Sequence, residues 1–102
     1  MAYEFFLSNP GPRPPYSAVA EHVWGAGCDF DSDGDSSIPD APDWTELTVI
    51  LRSDEGQRID IDPVEGARPL TLWIRSENED LAKKAAKFLA DRSGGELSGT
   101  RS

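Results

Sequence analysis

Asp29, Asp31, Asp33 and Asp35 occupy alternate positions in the stretch 28–43, and Asp40 and Asp43 extend the series with no Lys or Arg among them. Carboxylates so spaced suit two kinds of chemistry. They converge on a hard cation, which takes roughly six to eight oxygen ligands, or they present negative charge to a basic partner. The intervening Ser, Gly and Pro residues favour turns and local side-chain-to-backbone bonds. The expectation is a loop over 26–43 that is neither helix nor strand.

Asp29-Phe30-Asp31-Ser32-Asp33-Gly34 fits D-x-D-x-D-G, and Asp40 stands at the twelfth position counted from Asp29. This stretch resembles the calcium loops of EF-hands and dockerins, and 31–40 is similar to a stretched thrombospondin type 3 repeat. The resemblance implies Ca2+ as ligand. It would be held by the side chains of Asp29, Asp31, Asp33 and Asp40 and the backbone carbonyl of Asp35, with Gly34 at the bend. Ser36 occupies the eighth position, where an EF-hand carries an apolar residue. Asp40 replaces the longer Glu, and Pro39 before it prevents an exit helix from starting there.

Other reactive groups are sparse. Cys28 is the only cysteine and His22 the only histidine. One cysteine excludes an internal disulfide and a multi-cysteine zinc site, and the aspartates after Cys28 raise a thiol pKa and oppose reactivity. His22 falls on the polar side of a short helix, with no nucleophile implied beside it. There is no H-E-x-x-H, and Gly25-Ala26-Gly27 lacks the continuation of a phosphate loop. A non-enzymatic chain is expected.

The elements that must position the acidic stretch are legible on both sides of it. Residues 3–7 read as a strand, stopped by Ser8-Asn9-Pro10-Gly11-Pro12. Tyr16, Val19, Ala20, Val23 and Trp24 have helical spacing, with Pro15 before them and Gly25 or Gly27 after. Residues 44–52 and 58–62 alternate as a hairpin around a turn at 53–57, with Gly56 at positive φ, Leu51 facing Ile59 and Val49 facing Ile61. Residues 70–75 alternate again. Ser76 and Glu79 have capping-box spacing for a helix to about Arg92, with Leu81, Ala85, Phe88 and Leu89 as its buried stripe. Glu96-Leu97-Ser98 has room for a short edge strand, and 96–102 is expected to fray.

This order, β-α-β-β-β-α with room for a C-terminal β, predicts a single α+β domain over 1–95. The fold expected is a two-layer sandwich: an antiparallel sheet of about four strands with two helices on one face. The other face would then carry Trp44, Ile50, Asp60, Asp62 and Trp73 among mixed charges, which is the composition of a protein interface.

The chain has 102 residues and a formal net charge of -9. That charge opposes nucleic acid and anionic membranes as partners and favours a basic protein. No apolar run reaches the roughly 18 residues of a membrane span, and no signal peptide is visible, so a cytoplasmic location is expected. The expected function is that of a small acidic binding protein, concretely an immunity or inhibitor protein that neutralises a basic partner such as a toxin. Asp31, Asp33 and Asp35 on the loop would steer it, Trp44 and Trp73 would anchor it, and Ile50, Asp60 and Asp62 would share the contact. A calcium-binding module and a structural or regulatory subunit of a larger assembly are the alternatives; monomer and homodimer both fit.

Overall fold

The computed structural model describes residues 3–38 and 41–101. Six strands and two helices follow in the order β1 (Tyr3–Ser8), α1 (Tyr16–Trp24), β2 (Phe30–Gly34), β3 (Leu47–Leu51), β4 (Asp54–Pro63), β5 (Thr71–Ser76), α2 (Glu79–Ser93) and β6 (Glu96–Arg101). The strands form one antiparallel sheet in the spatial order β2-β3-β4-β5-β1-β6. The class is α+β as expected, but the sheet has two more strands than the sequence pattern indicates. One is drawn from the acidic stretch, and the other is the C-terminal segment, where the sequence has room for a short strand at 96–98 but which runs on to Arg101 instead of fraying.

One face of the sheet is covered. Leu7, Leu47, Val49, Ile59, Ile61, Leu72 and Ile74 point to it and are almost wholly buried, packed against Val19, Val23, Leu81, Phe88 and Leu89 of the helices. Alternation puts the strand residues between these on the opposite face. The two helices touch each other, and His22 of α1 stacks on Phe88 of α2 at 4.4 Å.

Helix α1 has the bounds its spacing predicts, and the Gly25 N–H closes it on the Glu21 carbonyl. The N-cap of helix α2 lies two residues beyond the expected one. Asn78, not Ser76, accepts from the backbone N–H groups of Asp80 and Leu81, while the Ser76 hydroxyl donates to the Arg58 carbonyl at 2.6 Å.

The β3–β4 hairpin keeps its predicted faces but not its register. Val49 faces Ile59 and Leu47 faces Ile61, two residues away from expectation. The chain reverses at Arg52 and Ser53, and an irregularity between Ile50 and Leu51 absorbs extra residues on the β4 side. Gly56 is not at positive φ. Gln57, in that irregular segment, accepts from the Trp24 indole N–H at 2.9 Å and so ties the hairpin to α1.

Candidate functional site

The site is built on the uncovered sheet face, where strand register brings distant residues into rows. One row runs Asp33, Thr48, Asp60, Arg75, Glu4 across β2, β3, β4, β5 and β1. A second contains Asp31, Ile50 and Arg58. A third contains Asp62, Trp73 and Phe6, and continuing the β3–β4 register by one residue adds Glu46 beside Asp62.

Asp60 lies at the centre. Its carboxylate accepts from the Thr48 hydroxyl at 2.8 Å and from Arg58 Nε and Nη2 at 3.0 Å each. Burial pushes its pKa up, but these hydrogen bonds and the charges of Arg58 and Arg75 outweigh burial and hold it below the ordinary carboxylate value. The same contact raises the Arg58 pKa. Such a tied carboxylate is a fixed charge, unsuited to proton transfer near neutral pH.

Trp73 and Phe6 form an aromatic platform, with ring planes 5° apart and centroids 6.4 Å apart. The Trp73 indole N–H donates to Glu4 Oε1 at 3.1 Å. Among the described residues, three of the hollows open on this face. One of about 440 Å3 is lined by Arg58, Asp60, Arg75, Ser76, Glu55, Gly56 and Glu77. One of about 450 Å3 is lined by Phe6, Trp73, Pro63, Val64, Asp62 and Glu65. The third, of about 190 Å3, is lined by Asp33, Gly34, Asp35, Glu46, Thr48 and Asp62.

Thus Asp31, Asp33, Ile50, Asp60, Asp62 and Trp73 share one face, while Trp44 does not. Trp44 is fully buried, its indole N–H donates to the Pro14 carbonyl at 2.8 Å, and Tyr16 packs edge-on against it at 6.1 Å. The expectation of an outward Trp44 is corrected. It precedes β3, so strand alternation does not govern its direction, and a buried side chain cannot anchor a partner.

The acidic stretch is also corrected. It is a strand over Phe30–Gly34 because the open edge of β3 supplies its backbone partners, and pairing overrides the poor strand preference of Asp. Arg52 pairs with Asp29 at 2.9 Å and with Asp31 at 2.8 Å. Asp35 accepts from the Thr45 N–H at 2.7 Å, the Thr45 hydroxyl at 2.8 Å and the Glu46 N–H at 2.9 Å. Burial raises the Asp35 pKa, but these donors outweigh it and lower it.

Alternate carboxylates on a strand are spread roughly 6–7 Å apart along it and do not converge. Among the described residues, no group of three or more His, Cys, Asp or Glu side chains is placed to hold a metal ion; Asp40 lies outside those residues. Gly34 serves another need: a Cβ there would run into the ring of Tyr16, whose hydroxyl donates to Ser36 Oγ at 2.6 Å. A run of aspartates on an edge strand also discourages pairing with a further chain.

Elsewhere, burial and the charges of Glu21 and Asp29 raise the Cys28 pKa. Among the described residues no helix is long and apolar enough to cross a membrane. Sequence reasoning missed Glu4, Phe6 and Glu65 as members of the face. Phe6 alternates with Phe5, but only the position of β1 beside β5 reveals which of the two looks outward.

The chain matches no protein-family model, no curated protein and no solved structure.

Proposed function

We propose that this chain is a small acidic, non-enzymatic binding protein that docks a basic protein partner on its open sheet face. Its concrete form is an immunity-type inhibitor that neutralises a cationic toxin. The observation that carries this reading is the Phe6–Trp73 platform set among carboxylates on a face that neither helix covers. Aromatic anchors ringed by charge are the composition of a binding hot spot, and a net charge of -9 steers encounter with a basic protein.

Calcium is the weaker reading, carried only by the D-x-D-x-D-G pattern. Asp29 and Asp31 already share Arg52, and Asp35 is committed to three donors. A melt in millimolar calcium that rises well above the magnesium control would revive it.

The test places a photo-crosslinking residue at Ile50 on the open face or at Lys84 on the exposed side of α2, within source cells. A basic protein captured at Ile50 and not at Lys84 is expected. Its association with the purified chain should slow with salt and with the pair Asp33→Asn and Glu46→Gln. Capture at Lys84 alone, or a second copy of this chain at Ile50, sinks the proposal.

A further inference from the structure

Two adjoining hollows on the open face have opposite character. Phe6, Trp73, Pro63 and Val64 make the larger one chiefly apolar, with Asp62 and Glu65 beside them. The smaller is lined by Asp33, Asp35, Glu46 and Thr48, and Asp62 belongs to both. The charges are unevenly satisfied. Asp62 is held by Arg75 at 2.6 Å, and Asp35 accepts three hydrogen bonds. Asp33, Glu46 and Glu65 have no cation within ion-pair distance among the described residues. The apolar hollow therefore borders an uncompensated negative field, which concentrates cations at its side.

Spacing fixes the complement. Glu46, one residue before β3, falls beside Asp62 of β4, and Trp73 follows on β5, so Glu46 and Trp73 are about two interstrand steps apart, roughly 10 Å. Residues i and i+2 of an extended segment point the same way about 7 Å apart, and side-chain reach covers the remainder.

We propose that the segment docked here carries an arginine or lysine two residues from an aromatic or branched aliphatic side chain. The cation enters the smaller hollow at Glu46, with Asp33 on its far wall, and the apolar side chain fills the larger hollow over Trp73. This rests on the open face being the binding face, and it specifies the partner's chemistry there. A cation alone would leave the aromatic hollow wet; an apolar side chain alone would leave the carboxylates uncompensated.

The probes are two capped peptides, Ac-Gly-Phe-Gly-Arg-Gly-NH2 and its citrulline counterpart, which keeps the shape and removes the charge. Each is titrated at low salt into the 15N-labelled chain. The arginine peptide should move the Thr48 and Asp62 amides and the Trp73 indole N–H, and bind about threefold more tightly than the citrulline peptide. Asp33→Asn with Glu46→Gln should erase that difference and leave the Trp73 response, which also shows that the variant is folded. Equal binding of the two peptides, no binding, or shifts confined to the Arg58 side of the face overturn the proposal. If it falls while Ile50 still captures a basic protein, the broader reading stands. If Ile50 captures nothing, both fall.

Discussion

The Arg75 guanidinium lies 4.2 Å over the Trp73 ring while its Nη2 meets Asp62 Oδ2 at 2.6 Å. One side chain thus joins the aromatic and acidic halves of the open face. A planar guanidinium can stack and pair at once, whereas a lysine ammonium acts as a point charge. Among the described residues Arg75 Nη1 is buried without a hydrogen-bond partner, which offsets part of the gain. Arg75→Lys should therefore cost only about 1 kcal/mol, measured by urea unfolding, together with a change in Trp73 fluorescence. Unchanged fluorescence would mean that the stacking is not maintained in solution.

Trp44 makes the opposite case, a tryptophan whose whole role is internal. Trp44→Phe keeps an aromatic ring but strips the Pro14 carbonyl of its 2.8 Å donor, at a cost of about 1–3 kcal/mol. Trp44→Ala adds a cavity and should cost about 3–5 kcal/mol. Denaturant curves check both. Trp44→Phe should leave partner binding intact at temperatures where it stays folded, since no atom of Trp44 reaches the surface.

Gly34→Ala tests what the glycine of the acidic stretch is for. Its new methyl group would displace the Tyr16 ring and strain that side chain's two hydrogen bonds with Ser36. A loss of about 1–3 kcal/mol is expected, as for other overpacked sites. In a Tyr16→Leu background most of that loss should vanish, because the obstacle is gone. Additive losses would show that Gly34 matters for its backbone and not for Tyr16.

What could be read from the chain followed from local rules. The α1 stripe of Val19, Ala20 and Val23 between Pro15 and Gly25 set that helix correctly. The faces of β3 and β4 were legible, but their register was not. A slip of two residues preserves every inward side chain, so the pattern of Leu47, Val49, Ile59 and Ile61 is blind to it. Strand β2 was illegible because Asp31 and Asp33 become strand residues through backbone bonds to β3 and through Arg52, which is 21 residues beyond Asp31. Trp44 was misread for a similar reason: Arg13 and Pro14, about thirty residues earlier, fix its direction. The site suffered with them, since Phe6 and Glu4 join it only once β1 takes its place beside β5.

Asp60 should leave a signature in acid. Burial raises its pKa, but Arg58, Thr48 and the Arg75 charge outweigh burial, so the folded value lies below the unfolded one of about 3.9. A depressed carboxylate contributes stability that is fully present above the unfolded pKa and is lost as pH falls through the folded pKa. Asp35, also depressed, acts in the same direction, so the useful quantity is the difference between the native chain and Asp60→Asn. That difference should be constant from about pH 7 to 5 and shrink below about pH 4, as the native chain takes up a proton that the amide cannot. Urea unfolding at half-unit pH steps measures it. A difference that stays flat down to about pH 2 would show that the Asp60 carboxylate is not bound to Arg58 and Thr48 in solution.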